Sequence, residues 1–181
     1  MRKLSHSLGL ALTLTVFGAM AVEPASAPRP DHRPAPADAG LQVRESASEA
    51  ELGVPVYPGS QVQRDDADDK AAVSLGLWGG RFGLRIAVRK MRSNDPLPAV
   101  AAFYRQRLAA HGPVLECLPG AKPPVRPAAQ RDDRLNCDDA PPKPGGLVLK
   151  VGTPRNQRVV ALQPQGREVH YQIVRVELQG D

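Results

Sequence analysis

Two runs of alternating apolar residues, separated by a glycine pair, constrain the fold of this chain more than any other feature. Apolar side chains occupy every second position of residues 73–77 and again of residues 82–88, which is the period of a half-buried β-strand. Between the runs, Gly79 and Gly80 supply the positive φ angles that a tight turn requires. The sequence therefore predicts an antiparallel hairpin.

A single helix is predicted after the hairpin. Asp95 is suited to the N-cap, Pro96 to the first helical position and Gly112 to the end of the helix. Apolar side chains recur at helical spacing between these limits, and we expect the face that they form to pack on the sheet. The residues of this face are Leu97, Val100, Ala101, Tyr104 and Leu108.

Further strands follow the helix. They are predicted over residues 114–118, 147–151, 158–162 and 168–178, with a turn at residues 163–166. In the last strand the apolar positions change from one alternate set to the other after Ile173, which predicts a bulge or a strand buried on both faces. The predicted fold class is α+β, an antiparallel β-sheet of about five to six strands with one amphipathic helix packed on one face.

The N-terminal residues have the pattern of a secretory signal peptide. Arg2 and Lys3 precede an uncharged, largely apolar run at residues 8–22, which is shorter than the roughly 20 residues of a bilayer-spanning helix. Small residues follow, so we expect residues 1–21 to be removed, with a second cleavage frame after Ala27. The mature protein is expected in the periplasm or outside the cell, and not as an integral membrane protein. An uncleaved N-terminal anchor is the alternative.

The mature chain is predicted to consist of a linker followed by one domain. Prolines alternate with small and charged residues through residues 22–51, which favours extended, solvated backbone and predicts a Pro/Ala-rich disordered linker. The α+β domain is predicted over residues 52–181. Inside it, Cys117 and Cys137 predict one disulfide, because two cysteines in an exported chain are usually bridged. This bond would close a Pro-rich loop at residues 117–137.

Two segments of the domain resemble a known family. Residues 53–60 read GVPVYPGS and residues 95–108 read DPLPAVAAFYRQRL. They are similar to the PxYPGA-type start and the DxPxxVxxFYRxxL helix of an uncharacterised family of small exported bacterial domains, although the helix prolines are displaced by one position on either side. The likeness covers residues 52–112 well and the C-terminal strands loosely. It implies an exported domain of sheet and helix, and it implies no catalytic residue.

A basic row occupies positions 81 to 92, which contain five cations and no acidic residue. Alternate residues of a strand share a face, so Arg85 and Arg89 are expected about 13 Å apart on one side. Such a row suits an anionic partner, such as a phosphorylated lipid headgroup, an acidic glycan or an acidic protein surface. The preferred alternative is an ordinary solvated face, neutralised by the acidic run at residues 65–69. The members of the basic row, our candidate binding residues, are Arg81, Arg85, Arg89, Lys90 and Arg92.

The sequence contains no pattern for catalysis, for a metal or for a cofactor. The motifs of serine hydrolases, zinc proteases and phosphate-binding loops are absent. The acidic run at residues 65–69 lacks the glycine and the terminal glutamate of a calcium-binding loop, and we interpret it as a solvated turn. Residues 57–59, Tyr-Pro-Gly, are interpreted as a type II turn rather than as a ligand site. We therefore predict no catalytic residue, no metal site and no cofactor.

The sequence as a whole predicts an exported, non-catalytic domain that binds or scaffolds at the cell envelope, with an anionic envelope component or another envelope protein as its partner. Nucleic acid is not expected, because the chain is exported, because the net charge of +5 includes both cations of the leader, and because no aromatic residues alternate with the arginines. Two alternatives stay open. A deep pocket holding His170 and an aspartate in hydrogen-bond contact would indicate a small hydrolase or inhibitor-like module. An exposed apolar patch on the sheet face away from the helix would indicate a structural partner in a complex.

Overall fold

The computed structural model describes residues 39–120, 134–139 and 141–180, which form an eight-stranded sheet and two helices. In chain order the elements are β1 (Ala39–Arg44), α1 (Glu49–Leu52), β2 (Gln61–Val62), β3 (Ala72–Gly79), β4 (Phe82–Ser93), α2 (Leu97–Ala109), β5 (Leu115–Cys117), β6 (Leu147–Thr153), β7 (Asn156–Gln165) and β8 (Glu168–Gln179).

The sheet has the strand order β1-β3-β4-β8-β7-β6-β5, and its pairings are antiparallel. The short β2 pairs with the end of β4, outside this path. The fold is therefore mostly β, with more strands than the sequence predicts and with helix as a minor part. The additional strands are β1 and β2.

The predicted hairpin is confirmed as β3 and β4. The turn differs from the prediction in one respect, since Gly79 pairs with Phe82 and belongs to the strand. Gly80 and Arg81 form a two-residue turn, and of the two glycines Gly80 has the positive φ, 55°. A turn of this length needs a positive φ, because only then does its twist match that of the flanking strands.

Both helices lie on one side of the sheet, which we call the covered face; the other side is the open face. α2 contacts β6 and β7, whereas α1 contacts β4 and β8. The apolar face of α2 is buried as predicted, except for the half-buried Leu97, and it packs on alternate residues of the sheet. The sheet residues of this core are Ala87, Met91, Leu147, Leu149, Val151, Val160, Leu162, Val169, Tyr171 and Ile173.

The Tyr-Pro-Gly segment forms the predicted turn. The amide of Ser60 donates to the carbonyl oxygen of Tyr57 at 3.2 Å, and Gly59 has a φ of 75°. The turn is anchored to α2, because the amide of Tyr57 donates to Oη of the fully buried Tyr104 at 3.0 Å. Burial raises the pKa of the Tyr104 phenol far above its usual range, so this group stays neutral.

The predicted N-cap of the long helix is wrong. Pro96 is the N-cap of α2, with φ −65° and ψ 147°, and it makes no side-chain capping bond. The Asp95 carboxylate instead accepts a hydrogen bond from the Tyr57 hydroxyl at 2.7 Å. The helix ends at Ala109 with Ala110 as C-cap, before Gly112. A tertiary partner thus replaces the local cap that the sequence suggests.

The predicted bulge in the last strand is also absent from the described residues, since β8 pairs with β4 and β7 in continuous register. The apolar residues of β8 change from one face of the sheet to the other for a different reason. The first half of β8 buries Tyr171 and Ile173 under the helices, whereas its second half places Val174 and Val176 on the open face. The preceding turn also lies later than predicted, at Gly166 and Arg167, because β7 continues to Gln165.

The predicted linker is too long. β1 pairs with β3 over its whole length. α1 follows β1 and ends at Leu52, the residue at which the domain was predicted to begin. The Ser48 hydroxyl accepts from the amide of Glu51 at 3.2 Å, while the amide of Ser48 donates to the Glu51 carboxylate at 2.8 Å. This capping box fixes the start of α1. Residues 39–51 therefore belong to the folded domain, whereas residues 22–38 and the leader at 1–21 lie outside the described residues.

The predicted disulfide is present between Cys117 in β5 and Cys137, with the two Cα atoms 5.5 Å apart. It holds residues 134–139 against the open face beside β6. There, the ammonium group of Lys150, which is only 1% exposed, donates to the carbonyl oxygen of Asn136 at 2.8 Å and to the Asp139 carboxylate. Much of the Pro-rich loop, at residues 121–133, lies outside the described residues. In the described ranges, no helix has the length and apolar character needed to cross a bilayer.

Candidate functional site

The structure does not bring the basic row together on one surface. Arg85 and Arg89 project on the covered face with Ala87 and Met91, because successive residues of a strand point to opposite sides. Lys90 shares the open face with the even-numbered residues of β4. Arg92 also belongs to that alternate set, and Arg81 lies exposed in the hairpin turn. The five residues therefore cannot contact one ligand simultaneously.

The two cations on the open face are already paired. Nζ of Lys90 lies 2.9 Å from Oδ1 of Asp69 and 3.1 Å from Oδ2 of Asp65. Arg92 lies 3.5 Å from the Glu168 carboxylate and donates to the side-chain oxygen of Gln61 at 2.9 Å. The acidic run thus neutralises Lys90 rather than Arg85 or Arg89.

The pKa shifts around Lys90 have the signs expected of a closed ion pair. A hydrogen bond from the amide of Asp65, then the Lys90 ammonium, hold the pKa of the Asp69 carboxyl below its usual value. Hydrogen bonds to Asp69 and then Asp65 raise the pKa of Lys90. Among the described residues, no group of three or more His, Cys, Asp or Glu side chains is arranged to hold a metal ion. The acidic run therefore serves as a counter-charge in this structure.

Arg89 and Arg85 line separate depressions of the covered face. Arg89 reaches the carbonyl oxygen of Ala47 at 3.5 Å and lines a pocket that also contains Asp69 and Lys70. Arg85 lines a second pocket of about 460 Å³, between α1 and the ends of β1, β3, β4 and β8. We call this second cavity the Arg85 pocket. Its other polar lining residues are Gln42, Arg44, Glu51, Ser74, Arg175 and Glu177.

Arg85 is the free cation of this pocket. Within residues 39–120, 134–139 and 141–180, its guanidinium forms no hydrogen bond and no ion pair, and its side chain is exposed. The other arginines of the lining are paired with carboxylates, since Arg44 contacts Glu51 and Arg175 contacts Glu177. The guanidinium of Arg85 is therefore available to a ligand.

Two buried hydrogen-bond donors beside Arg85 lack partners among the described residues. They are the hydroxyl of Ser74, in a residue that is only 6% exposed, and Nε of Arg175. An unpaired buried donor costs about 1–3 kcal/mol, and most such groups in native proteins are satisfied by a ligand, an ion or a water. Both groups line the Arg85 pocket, so their partner is expected to lie in this pocket.

The surroundings of the pocket carry an excess of positive charge. Arg158 on β7 lies directly opposite Arg175 on β8, and its Nε is also buried without a partner among the described residues. Burial, followed by the charge of Arg175, lowers the pKa of Arg158. The two guanidinium groups crowd against Gly53, where an added Cβ would come within 2.5 Å of Nε of Arg158. The Glu177 carboxylate faces both Arg158 and Arg175. One negative charge therefore faces two positive charges, and the arginine pair is only partly neutralised.

Most residues of this pocket were not predicted from the sequence. Ser74 and Arg175 become neighbours of Arg85 only through the register, in which Ala87 pairs with both of them, and such long-range register is not visible in one sequence. Ser74 and Arg85 belong to the polar sets of their runs, which predict a solvated face. The one available signal was Arg175, which continues the alternate set of Val169, Tyr171 and Ile173. The burial of Lys150 was not predicted either, because it depends on the segment at residues 134–139 that the disulfide holds.

His170 gives no specific support for a hydrolase. Its Nε2 lies 3.2 Å from the carboxylate of Glu168, two residues away on the same strand. Asp65 lines the same pocket, but its carboxylate pairs with Lys90 at 3.1 Å and forms no hydrogen bond with His170. The pocket of about 390 Å³ that His170 lines contains no Ser, Thr or Cys among the described residues. The hydroxyl or thiol nucleophile of a Ser, Thr or Cys hydrolase is therefore missing from its described lining.

Comparisons with protein-family models, with curated proteins and with solved structures find no match to this chain.

Proposed function

We propose that this chain is an exported, non-catalytic domain that binds an oxyanion of an envelope component in the Arg85 pocket. One observation carries the proposal: the unpaired guanidinium of Arg85 shares a pocket with two buried, unpaired donors, the Ser74 hydroxyl and Nε of Arg175. The same pattern narrows the proposed binding residues of the basic row to Arg85.

The chemistry of these donors favours a phosphate or carboxylate group. A guanidinium presents a planar pair of N–H groups that matches two oxygens of such an anion, and charge-assisted bonds of this kind are stronger than neutral ones. The pocket volume of about 460 Å³ is in the range of small-molecule sites. Its lining includes Ala50 and Ala87, whose methyl groups can contact the body of a small ligand.

The binding test uses the mature protein and three probes, namely glycerol 3-phosphate, acetate and vesicles containing phosphatidylglycerol, at one fixed ionic strength. We expect saturable binding of at least one probe by calorimetry or co-sedimentation. Arg85→Gln should weaken that binding by about tenfold or more, because a charge-assisted hydrogen bond is lost. The probe that responds identifies whether the oxyanion is free phosphate ester, carboxylate or lipid headgroup.

The matched control is Arg92→Gln, which removes the same charge from the same strand at a site paired with Glu168. It should bind like the natural protein. Equal binding by Arg85→Gln and the natural protein, or no saturable binding of any probe, would contradict the proposal.

The export part of the proposal is supported by the charged and apolar leader in the sequence and, weakly, by the disulfide. Membership of the small exported family remains a prediction. The intact mass of the protein recovered from the cell envelope fraction should correspond to a chain that begins after Ala21 and contains no free thiol. A chain of full length, or two alkylatable cysteines, would refute export and oxidation.

A further inference from the structure

The open face carries a large apolar patch at the end of the sheet formed by β1, β3, β4 and β8. Most of the exposed large hydrophobic side chains of the described residues lie there, with Leu41 64% and Val43 57% exposed. Half-buried apolar neighbours join them into one surface. The members of this open-face patch are Leu41, Val43, Val73, Leu75, Leu77, Phe82, Leu84, Ile86, Val88, Val174, Val176 and Leu178.

The strand register explains why the patch is continuous. Leu41 pairs with Leu77, and Leu77 pairs in turn with Leu84 on the next strand. Residues directly opposite one another project from the same side of a sheet, so each pairing extends the patch by one strand. The patch contains no charged residue. Contiguous apolar surface of this kind is uncommon on monomers and usually marks an interface.

The chain covers the other end of the same face with its own residues. There, the segment at 134–139 is fastened by the disulfide and buries Lys150. The portions of the mature chain outside the described residues offer little for the apolar end. In sequence, residues 22–38 contain Val22 as their single large aliphatic residue, and residues 121–133 contain only Val125. Neither segment has the composition of a hydrophobic cover.

We infer that the open-face patch packs against the same patch of a second copy of this chain. A partner must present an uncharged, apolar, gently twisted surface. A second copy of this chain meets that requirement because it carries the identical patch. A two-fold axis through the patch would bring the two sheets face to face about 10 Å apart, as in a β-sandwich. About a dozen side chains take part, fewer than the 20–30 residues a side of a standard interface, so the dimer is expected to be weak.

The test is sedimentation velocity of the mature protein between about 1 and 200 μM, a range chosen for micromolar affinity. The natural protein should change from monomer to dimer across this range. Val43→Glu places a charge inside the patch, on its outer strand β1 opposite Leu75, and should leave the protein monomeric throughout. Val43 is already 57% exposed, so circular dichroism and the melting temperature should be unchanged at low concentration.

Val62→Glu is the matched control. Val62 is 47% exposed and pairs with Met91 of the covered face, so the same substitution there lies outside the patch. This variant should dimerise like the natural protein. A natural protein that remains monomeric, as it would if another protein or its own N-terminal segment occupied the patch, would overturn the inference. A dimer unaffected by Val43→Glu would also overturn it. Neither result bears on ligand binding in the Arg85 pocket, whose lining includes neither Val43 nor Val62.

Discussion

Tyr104→Ala is expected to lower the free energy of unfolding by about 3–5 kcal/mol, which is the range for removing a fully buried aromatic side chain. Tyr104 is completely buried, and its ring lies 5.1 Å from that of Phe103 and 5.5 Å from that of Tyr171. The substitution would leave a cavity between α2 and the centre of the sheet. It would also remove the acceptor of the Tyr57 amide. Urea denaturation at neutral pH measures the change.

Tyr104→Phe separates the two contributions. It keeps the ring in place and removes only the oxygen, so it should cost about 1 kcal/mol for the lost hydrogen bond. Nearly equal effects of the two variants would mean that the hydrogen bond, and not packing, fixes the helix. A change below about 1 kcal/mol for Tyr104→Ala would contradict the burial of this residue.

Removal of the disulfide is expected to have the second largest effect. The bond closes a sequence separation of 20 residues, for which the chain-entropy relation gives about 3 kcal/mol. The loss has a local component as well. Residues 134–139 would no longer be held over Lys150. The ammonium group of Lys150 would then lose its hydrogen bond to the carbonyl oxygen of Asn136 and would donate to water instead. Denaturation of the natural protein with and without reductant, compared with the Cys117→Ser/Cys137→Ser variant, measures the effect.

The double serine variant should be insensitive to reductant, and its midpoint should match that of the reduced natural protein. An unchanged midpoint when the natural protein is reduced would show that the covalent bond adds nothing to stability.

Local signals in the sequence were sufficient for much of the fold. The hairpin depends on a glycine turn between two alternating runs, and the helix depends on apolar spacing over about three turns, so both are encoded within short segments. The strands of the C-terminal region were predicted for the same reason. The elements missed were β1 and β2, because an edge strand beside a Pro-rich segment and a two-residue strand acquire their identity from the partner strand.

The candidate site was less predictable, because alternation shows that a strand has two faces without showing which face is covered. In β4 the more apolar set, which includes Leu84 and Ile86, lies on the open face, whereas the helices cover Ala87 and Met91. This reversal places Arg85 in a pocket of the helix side instead of on a solvated face. Its neighbours Ser74 and Arg175 come from two different strands, and a sequence pattern restricted to one strand cannot associate them.

The position of β8 has a consequence for the biosynthesis of the chain. β4 and β8 form the longest pairing of the sheet, from Gly83 with Gln179 to Ser93 with Val169. The centre of the sheet thus consists of two strands that are far apart in sequence, and β8 is the last of the described strands. Contacts of such large sequence separation form slowly. A nascent chain therefore lacks its central strand pair until β8 has been synthesised, and up to that point the edge of β4 that β8 occupies stays unpaired.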